Sequence, residues 1–302
     1  MRTRNLVMLV GLALIWGASF MFIRVADRQL APATLIMGRL GLAALTLAIV
    51  VPVVVGAREA VAELRANAGW LVVVALVNTA IPFWLLSWGE TKIDSGLASI
   101  IQGAVPIFNA LIAFGFFHES RVTGLRLVGI VIGFVGVALL VGAQPSGKIL
   151  GALAVVGMAL CYAIGGLVTG RHLQRVRPIV IALASTGVAT VVAMPAGIAQ
   201  APSTTPGWKE IGSVVALGIP GTAIAYMLFF ALITRAGPSY ASLVTYLIPP
   251  IALGYGSIFL GESFGAAAIG GLALILGGVA LGTGAVGLAS LRARRAPARQ
   301  SV

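Results

Sequence analysis

The residue most able to do chemistry is a cation in an apolar run. Arg39 sits inside the segment 31–54, roughly 13 Å along a helix from its start at about 1.5 Å rise per residue. A charge at that depth is costly and marks a functional position by default. It suits two tasks: holding a substrate carboxylate, or bonding carbonyls freed at a proline kink. A close-packed structural arginine flanked by Gly38 and Gly41 is the plain alternative. Ser95, Ser99, Gln102, Pro106 and Asn109 recur every three or four residues and share one helix face. Ser239, Ser242, Thr245, Tyr246 and Pro249 occupy the related stretch further on. Trp16, Ser19, Asn78, Trp84, Tyr162 and Tyr226 complete a set of amphipathic side chains suited to walling a small ligand. The candidate cavity residues are therefore Trp16, Ser19, Arg39, Asn78, Trp84, Ser99, Gln102, Tyr162, Tyr226, Ser242 and Tyr246, with interhelical hydrogen bonding the competing role for the small ones. Pro82, Pro106, Pro220 and Pro249 interrupt helix bonding. They read as hinges, or as static kinks that shape the cavity.

These groups bind; they do not break bonds. The acids Asp27, Glu59, Glu63, Glu90, Asp94, Glu119, Glu210 and Glu262 all fall in or beside connections, as do His118 and His172. No nucleophile–base pair, paired acids or metal cluster can be assembled from them, so an enzyme is excluded and neither cofactor nor metal is expected. With no carboxylate at mid-depth, flux down the substrate's own gradient is favoured. Glu90 and Asp94 are the acids through which coupling would otherwise run. Glu119 and Glu262, each followed by serine, read as caps of the helices that follow.

The elements that position this set must lie in lipid. The 302 residues are 59% hydrophobic and 9% charged, against about 25% charged in a soluble domain. Runs long enough to cross a bilayer fall at 5–25, 31–54, 69–88, 95–117, 124–142, 149–169, 178–199, 211–233, 239–260 and 265–288. They predict an all-α membrane protein of ten transmembrane helices. The first run resembles a signal peptide but lacks a cleavage site and is long enough to span, so it reads as a retained helix. Arg2, Arg4, Arg58, Arg65, Arg121, Arg126, Arg171, Arg175, Arg177, Arg235, Arg292, Arg294, Arg295 and Arg299 fall on one side. Arg24, Arg28, Lys92, Lys148 and Lys209 fall on the other. Fourteen against five places both termini in the cytoplasm. The net charge of +12 is spread between apolar runs, which argues against nucleic acid and for membrane lipid as the basic residues' partner.

The chain also repeats itself. Ala98, Ser99, Pro106 and Glu119 return as Ala241, Ser242, Pro249 and Glu262, each 143 residues on (241 − 98 = 143). Thr79-Ala80-Ile81 returns as Thr222-Ala223-Ile224, and Trp16 faces Tyr162 at an offset of 146 (162 − 16). Residues 1–145 and 146–290 thus read as two five-helix halves, followed by a basic tail, 291–302. An odd helix count per half inverts the second copy, the pattern of transporters whose midplane site opens alternately to each side. Glycine faces on the fifth and tenth helices favour packing within one protomer, a monomer, with a dimer as the alternative.

The W-G-A-S-F of Trp16–Phe20, the P-x-F-x-A-L-x-A of the fourth helix and the paired E-S endings resemble the EamA-type drug/metabolite transporter superfamily, in particular bacterial inner-membrane exporters of amino acids, aromatic ones included. The resemblance covers the whole membrane region. It implies ten helices in two inverted repeats, an inner-membrane location and a small amino-acid-like substrate. A permease for drugs or another metabolite class, or a channel-like facilitator, is the alternative.

Overall fold

A computed structural model of the chain describes residues 2–116, 124–142 and 148–282. Among the described residues the regular elements are helices: α1 (Arg2–Ala26), α2 (Pro32–Val55), α3 (Ala57–Ala66), α4 (Ala68–Glu90), α5 (Ser95–Gln102), α6 (Val105–Phe116), α7 (Leu125–Gly142), α8 (Ile149–His172), α9 (Pro178–Ala199), α10 (Trp208–Ala236), α11 (Val244–Leu260) and α12 (Ala266–Gly282). Six of them are long and apolar enough to cross a membrane, and α7, α11 and α12 are shorter apolar helices. Large apolar residues on the outside, such as Ile49 at 73% and Val53 at 84% exposure, need a hydrocarbon surround. The protein is a helical membrane protein. Glu119, His118 and the basic tail 291–302 lie outside the described residues.

Two of the expected spans are broken rather than continuous. Residues 95–117 divide into α5 and α6, because Pro106 has no N–H to offer the Gln102 carbonyl and α5 ends at Gln102. The gap is closed by tight turns from Gly103 N–H to Ser99 O (3.1 Å) and from Ala104 N–H to Ile101 O (3.0 Å). Residues 239–260 open with the single turn Pro238–Ala241 before α11, which carries Pro249 and Pro250 inside it. A second local departure is a widened, π-type turn inside α4 (Leu76–Ala80) and another inside α10 (Ile219–Ile224). They begin 143 residues apart (219 − 76). Pro82 follows the first and Pro220 lies in the second. Both prolines therefore sit where the regular bonding is already relaxed.

Small residues let these helices approach closely. A Cβ on Gly136 would meet Ile275 and Leu274, and one on Gly278 would meet the backbone of Gly129 and Gly133. The glycine faces of α7 and α12 therefore pack on each other within the chain. Gly197 of α9 lies against Met37 of α2 and accepts a hydrogen bond from Thr34 Oγ1 at 2.9 Å. The amphipathic α3 was not anticipated, its residues reading as a connection. Its Glu63 accepts from the Arg177 backbone N–H at 2.9 Å and pairs with the Arg177 guanidinium at 3.2 Å. This clasp ties α3 to the α8–α9 turn, and with them Arg58, Arg65, Arg171 and Arg175 share one end of the molecule.

Candidate functional site

A cavity of about 220 Å³ lies in the middle of the bundle, lined by Trp16 and Ser19 of α1, Arg39 of α2, Asn78 and Phe83 of α4, Gln102 of α5, Tyr162 of α8, Thr222 and Tyr226 of α10 and Thr245 of α11. Seven helices thus contribute to one small volume. The widened turn in α10 carries Thr222 inward, where its Oγ1 donates to Leu217 O at 2.8 Å and accepts from Arg39 Nε at 3.1 Å. The Arg39 guanidinium carbon lies 4.4 Å from the centre of the Phe83 ring, and the residue is 5% exposed. No carboxylate pairs with it among the described residues. Of the guanidinium's five donors, one is matched to protein among the described residues, and the residue borders a mainly apolar pocket with an aromatic wall. That arrangement fits a carboxylate with an apolar body.

The remaining expected residues are distributed as follows. Trp16, Ser19, Arg39, Asn78, Gln102, Tyr162 and Tyr226 line the central cavity. Ser99 is buried, donates to Gly96 O at 2.6 Å, and borders an adjoining space of about 130 Å³ shared with Gln102, Tyr162 and the buried Pro249. Trp84 does not reach the site. It is 46% exposed and stacks on Trp88 at 6.3 Å between ring centres, because the inward face of α4 belongs to its neighbour Phe83. Ser242 is exposed and falls between the single turn and α11, and Tyr246 packs into the core. Thr245 takes the cavity position between them. Pro106 opens α6, just past the break. Phe83 and Thr222 were missed, and Thr245 was named only within the polar stretch of its helix and not among the candidate cavity residues. Phe83 and Thr245 stand at the repeat offset of 143 from Tyr226 and Gln102 (226 − 83; 245 − 102), a signal that was available.

A larger space of about 430 Å³ shares Trp16, Asn78 and Tyr226 with the central cavity and runs out past Leu173 and Gln174 at the α8–α9 turn. The opposite end is sealed. The Arg24 guanidinium donates to the Glu90 backbone carbonyl, and Ser87 Oγ donates to Asp27 Oδ1 at 3.0 Å. Glu262 reaches across to the start of α5, accepting from Ser95 N–H at 2.9 Å, Gly96 N–H at 3.1 Å and Ser95 Oγ at 3.0 Å. So Glu262 caps α5, not the helix that follows it. Gly261, in the left-handed conformation at φ 68°, turns the chain so that the carboxylate points back across the bundle. Outside this seal lies a vestibule of about 500 Å³ lined by Arg24, Asp27, Arg28, Thr91, Asp94 and Glu262. Burial pushes the Asp27 carboxyl up from 3.8 to about 7, against the opposing pull of the Ser87 hydrogen bond and of Arg24.

The EamA-like transporter family profile matches residues 3–142 and again 149–283. Among curated relatives, the uncharacterized transporter YvbV of Bacillus subtilis is 26% identical over 93% of this chain and 92% of its own length. A probable terminal-alkyne amino-acid exporter of Streptantibioticus cattleyicolor is 28% identical over 88% and 89%. The uncharacterized inner membrane transporter YedA of Escherichia coli K12 is 26% identical over 87% and 86%. A solved crystal structure superposes with a TM-score of 0.63 at 18% identity, covering 98% of this chain and 100% of the other, a likeness of fold alone. Two family segments spanning nearly all of a helical membrane chain leave one conclusion: the protein belongs to the EamA-like transporter family, and it is a membrane transporter rather than an enzyme.

Proposed function

We propose that the protein exports amino acids, aromatic ones among them, or closely related carboxylates across a bacterial inner membrane, by alternating access to the central cavity. The observation that carries this reading is Arg39, a nearly buried cation with no carboxylate partner among the described residues, facing an aromatic-walled pocket. The volume of about 220 Å³ is below the roughly 300–1,000 Å³ of drug-sized pockets, which favours a small metabolite over a drug. The family relative named as an amino-acid exporter supports the same class.

The reading includes ten spans in two inverted halves, 1–145 and 146–290, with both termini cytoplasmic. Its support is the pairing of the cavity's own lining: Trp16 with Tyr162 (162 − 16 = 146), and Asn78 with Gly221, Phe83 with Tyr226, and Gln102 with Thr245, each 143 apart. The two widened turns obey the same offset, as befits paired elements that swap roles between access states. Under the positive-inside distribution, the α8–α9 end through which the larger space runs faces the cytoplasm, and the sealed Asp27–Glu262 end faces out. Pro82, Pro106, Pro220 and Pro249 serve as the hinge positions. The protein works without cofactor, metal or nucleic acid, as a monomer in lipid.

Counterflow of radiolabelled phenylalanine and other amino acids in proteoliposomes tests this directly. Saturable exchange is expected, with the apparent affinity about ten- to a hundredfold weaker in Arg39→Gln, the loss of a charged hydrogen bond of about 1.5–3 kcal/mol. Gln102→Ala is expected to weaken it as well. Absence of exchange for every carboxylate tested, or unchanged affinity in Arg39→Gln, would overturn the reading.

A further inference from the structure

Glu90 is 0% exposed, and neither carboxylate oxygen has a hydrogen-bond partner among the described residues. Its nearest ionisable neighbour in effect is another acid, Asp27, whose Oδ2 is likewise buried and unpartnered. The charged groups facing the pair are Glu262 from the α11–α12 turn, Arg24 from α1 and Arg39 from α2. Arg28 and Asp94 border the vestibule outside. Of the two cations Arg24 acts the more strongly, and its guanidinium donates to the Glu90 backbone carbonyl. Two ionised carboxylates whose buried oxygens lack hydrogen-bond partners repel each other and forgo hydration there, at a cost in free energy. Supplying a proton removes both penalties at once, as in the acid pairs of other proteins that share one.

The location gives this proton a role. Asp27 follows α1, Glu90 ends α4, and both sit where Arg24, Ser87 and Glu262 seal the bundle. Phe83, Ser87 and Glu90 fall at spacings of four and three on one face of α4. The same face thus touches Arg39 at the cavity, Asp27 at the seal and the acid pair itself. Asp27 alone already titrates near neutrality, about 7 against 3.8 in water.

We infer that Asp27 and Glu90 form a proton-binding site at the sealed end of the transporter, occupied while that end is closed and emptied when it opens to water. On opening, a carboxyl O–H bond breaks, the electron pair stays on the carboxylate and the proton passes to vestibule water. Closing reverses the step. The proton is thereby linked to the access cycle, whatever the cargo. The inference rests on the transporter fold and not on the choice of substrate.

The test uses the full chain in detergent micelles with dicyclohexylcarbodiimide, which modifies protonated carboxyls in apolar surroundings, and maps the adducts by peptide mass spectrometry. At about pH 6 an adduct is expected on Glu90 or Asp27, falling at least about tenfold by about pH 9. The ion-paired Glu59 and Glu63 stay unmodified throughout. No adduct on either acid at about pH 6, or one that persists unchanged to about pH 9, overturns the site. Protection by sodium ions at fixed low pH in place of protection by high pH also overturns it, in favour of a sodium site. The amide isosteres Asp27→Asn and Glu90→Gln imitate the occupied state. Wild-type thermal stability is expected to fall as pH rises through about 7, and the double variant is expected to lose that dependence. A flat wild-type profile, or a double variant that melts lower than wild type at every pH, refutes the inference. Neither measurement needs a transported compound, so a failed amino-acid counterflow would leave both results standing.

Discussion

Arg39 was legible as a deeply placed cation from its position in the span alone, and its neighbours explain why it is tolerated. One bond to Thr222 and the face of Phe83 take the place of part of the water it has lost. The partners themselves were harder to read. Which of two adjacent aromatics faces inward depends on the rotation of α4 after its widened turn, and apolar periodicity is flat in a helix wetted by lipid on one side and packed on the other. Phe83 therefore takes the cavity position that the sequence reading gave to Trp84. Trp84→Ala is expected to retain full counterflow, while Phe83→Ala, which strips the ring from beside the guanidinium, reduces it. Equal loss in both variants would return Trp84 to the site.

Six spanning helices and their order were legible because the membrane imposes a length, and ends marked by Pro32, Pro178 and Gly261 fell within a residue of expectation. The breaks were less so. Pro106 ends a helix, yet Pro249, its partner in the repeat, sits within one. The difference lies in what surrounds them, since a freed carbonyl is settled by tertiary neighbours rather than by the proline itself. The same limit applies to Glu262. Local sequence favours a cap on the next helix, whereas the left-handed turn at Gly261 swings the carboxylate onto α5, 167 residues earlier in the chain for Ser95. Glu262→Ala leaves two α5 N–H groups and Ser95 Oγ without their acceptor. A capping loss of about 0.5–2 kcal/mol is expected, read as a lower melting temperature, with Glu262→Gln in between. A stability unchanged in both would show that the α5 terminus finds water instead.

For the molecule as a whole, two ends of unlike chemistry follow from one sequence. The end with the Arg177–Glu63 clasp holds its charges in exposed ion pairs, which contribute about 0–1 kcal/mol each and tolerate water. The other end buries acids, and this makes it sensitive to pH. Asp27 ordinarily ionises at 3.8 and in the closed state at about 7, so between those values the closed state binds more protons than the open one. Closure is therefore fully favoured at low pH and loses that support as pH rises through about 7. Exchange measured against the pH bathing that end is expected to quicken over the same interval in wild type and to be level in Asp27→Asn. A fall in rate over that interval would reverse the sign and with it the assignment of Asp27 to the closed state. None of this was visible in a linear reading, where Asp27 and Glu90 are two loop acids 63 positions apart (90 − 27).

Among the cavity-lining residues without a counterpart in the repeat, Arg39 has a consequence for the cargo. Arg39 answers to Ser185 at the offset of 146 (185 − 39), so the cavity lining carries its cation in one half of the repeat and not in the other. A ligand held there by its carboxylate keeps one heading through the whole cycle. It enters by one end and departs by the other without turning over, and a compound bearing a second acid at its far tip would find nothing there to greet it.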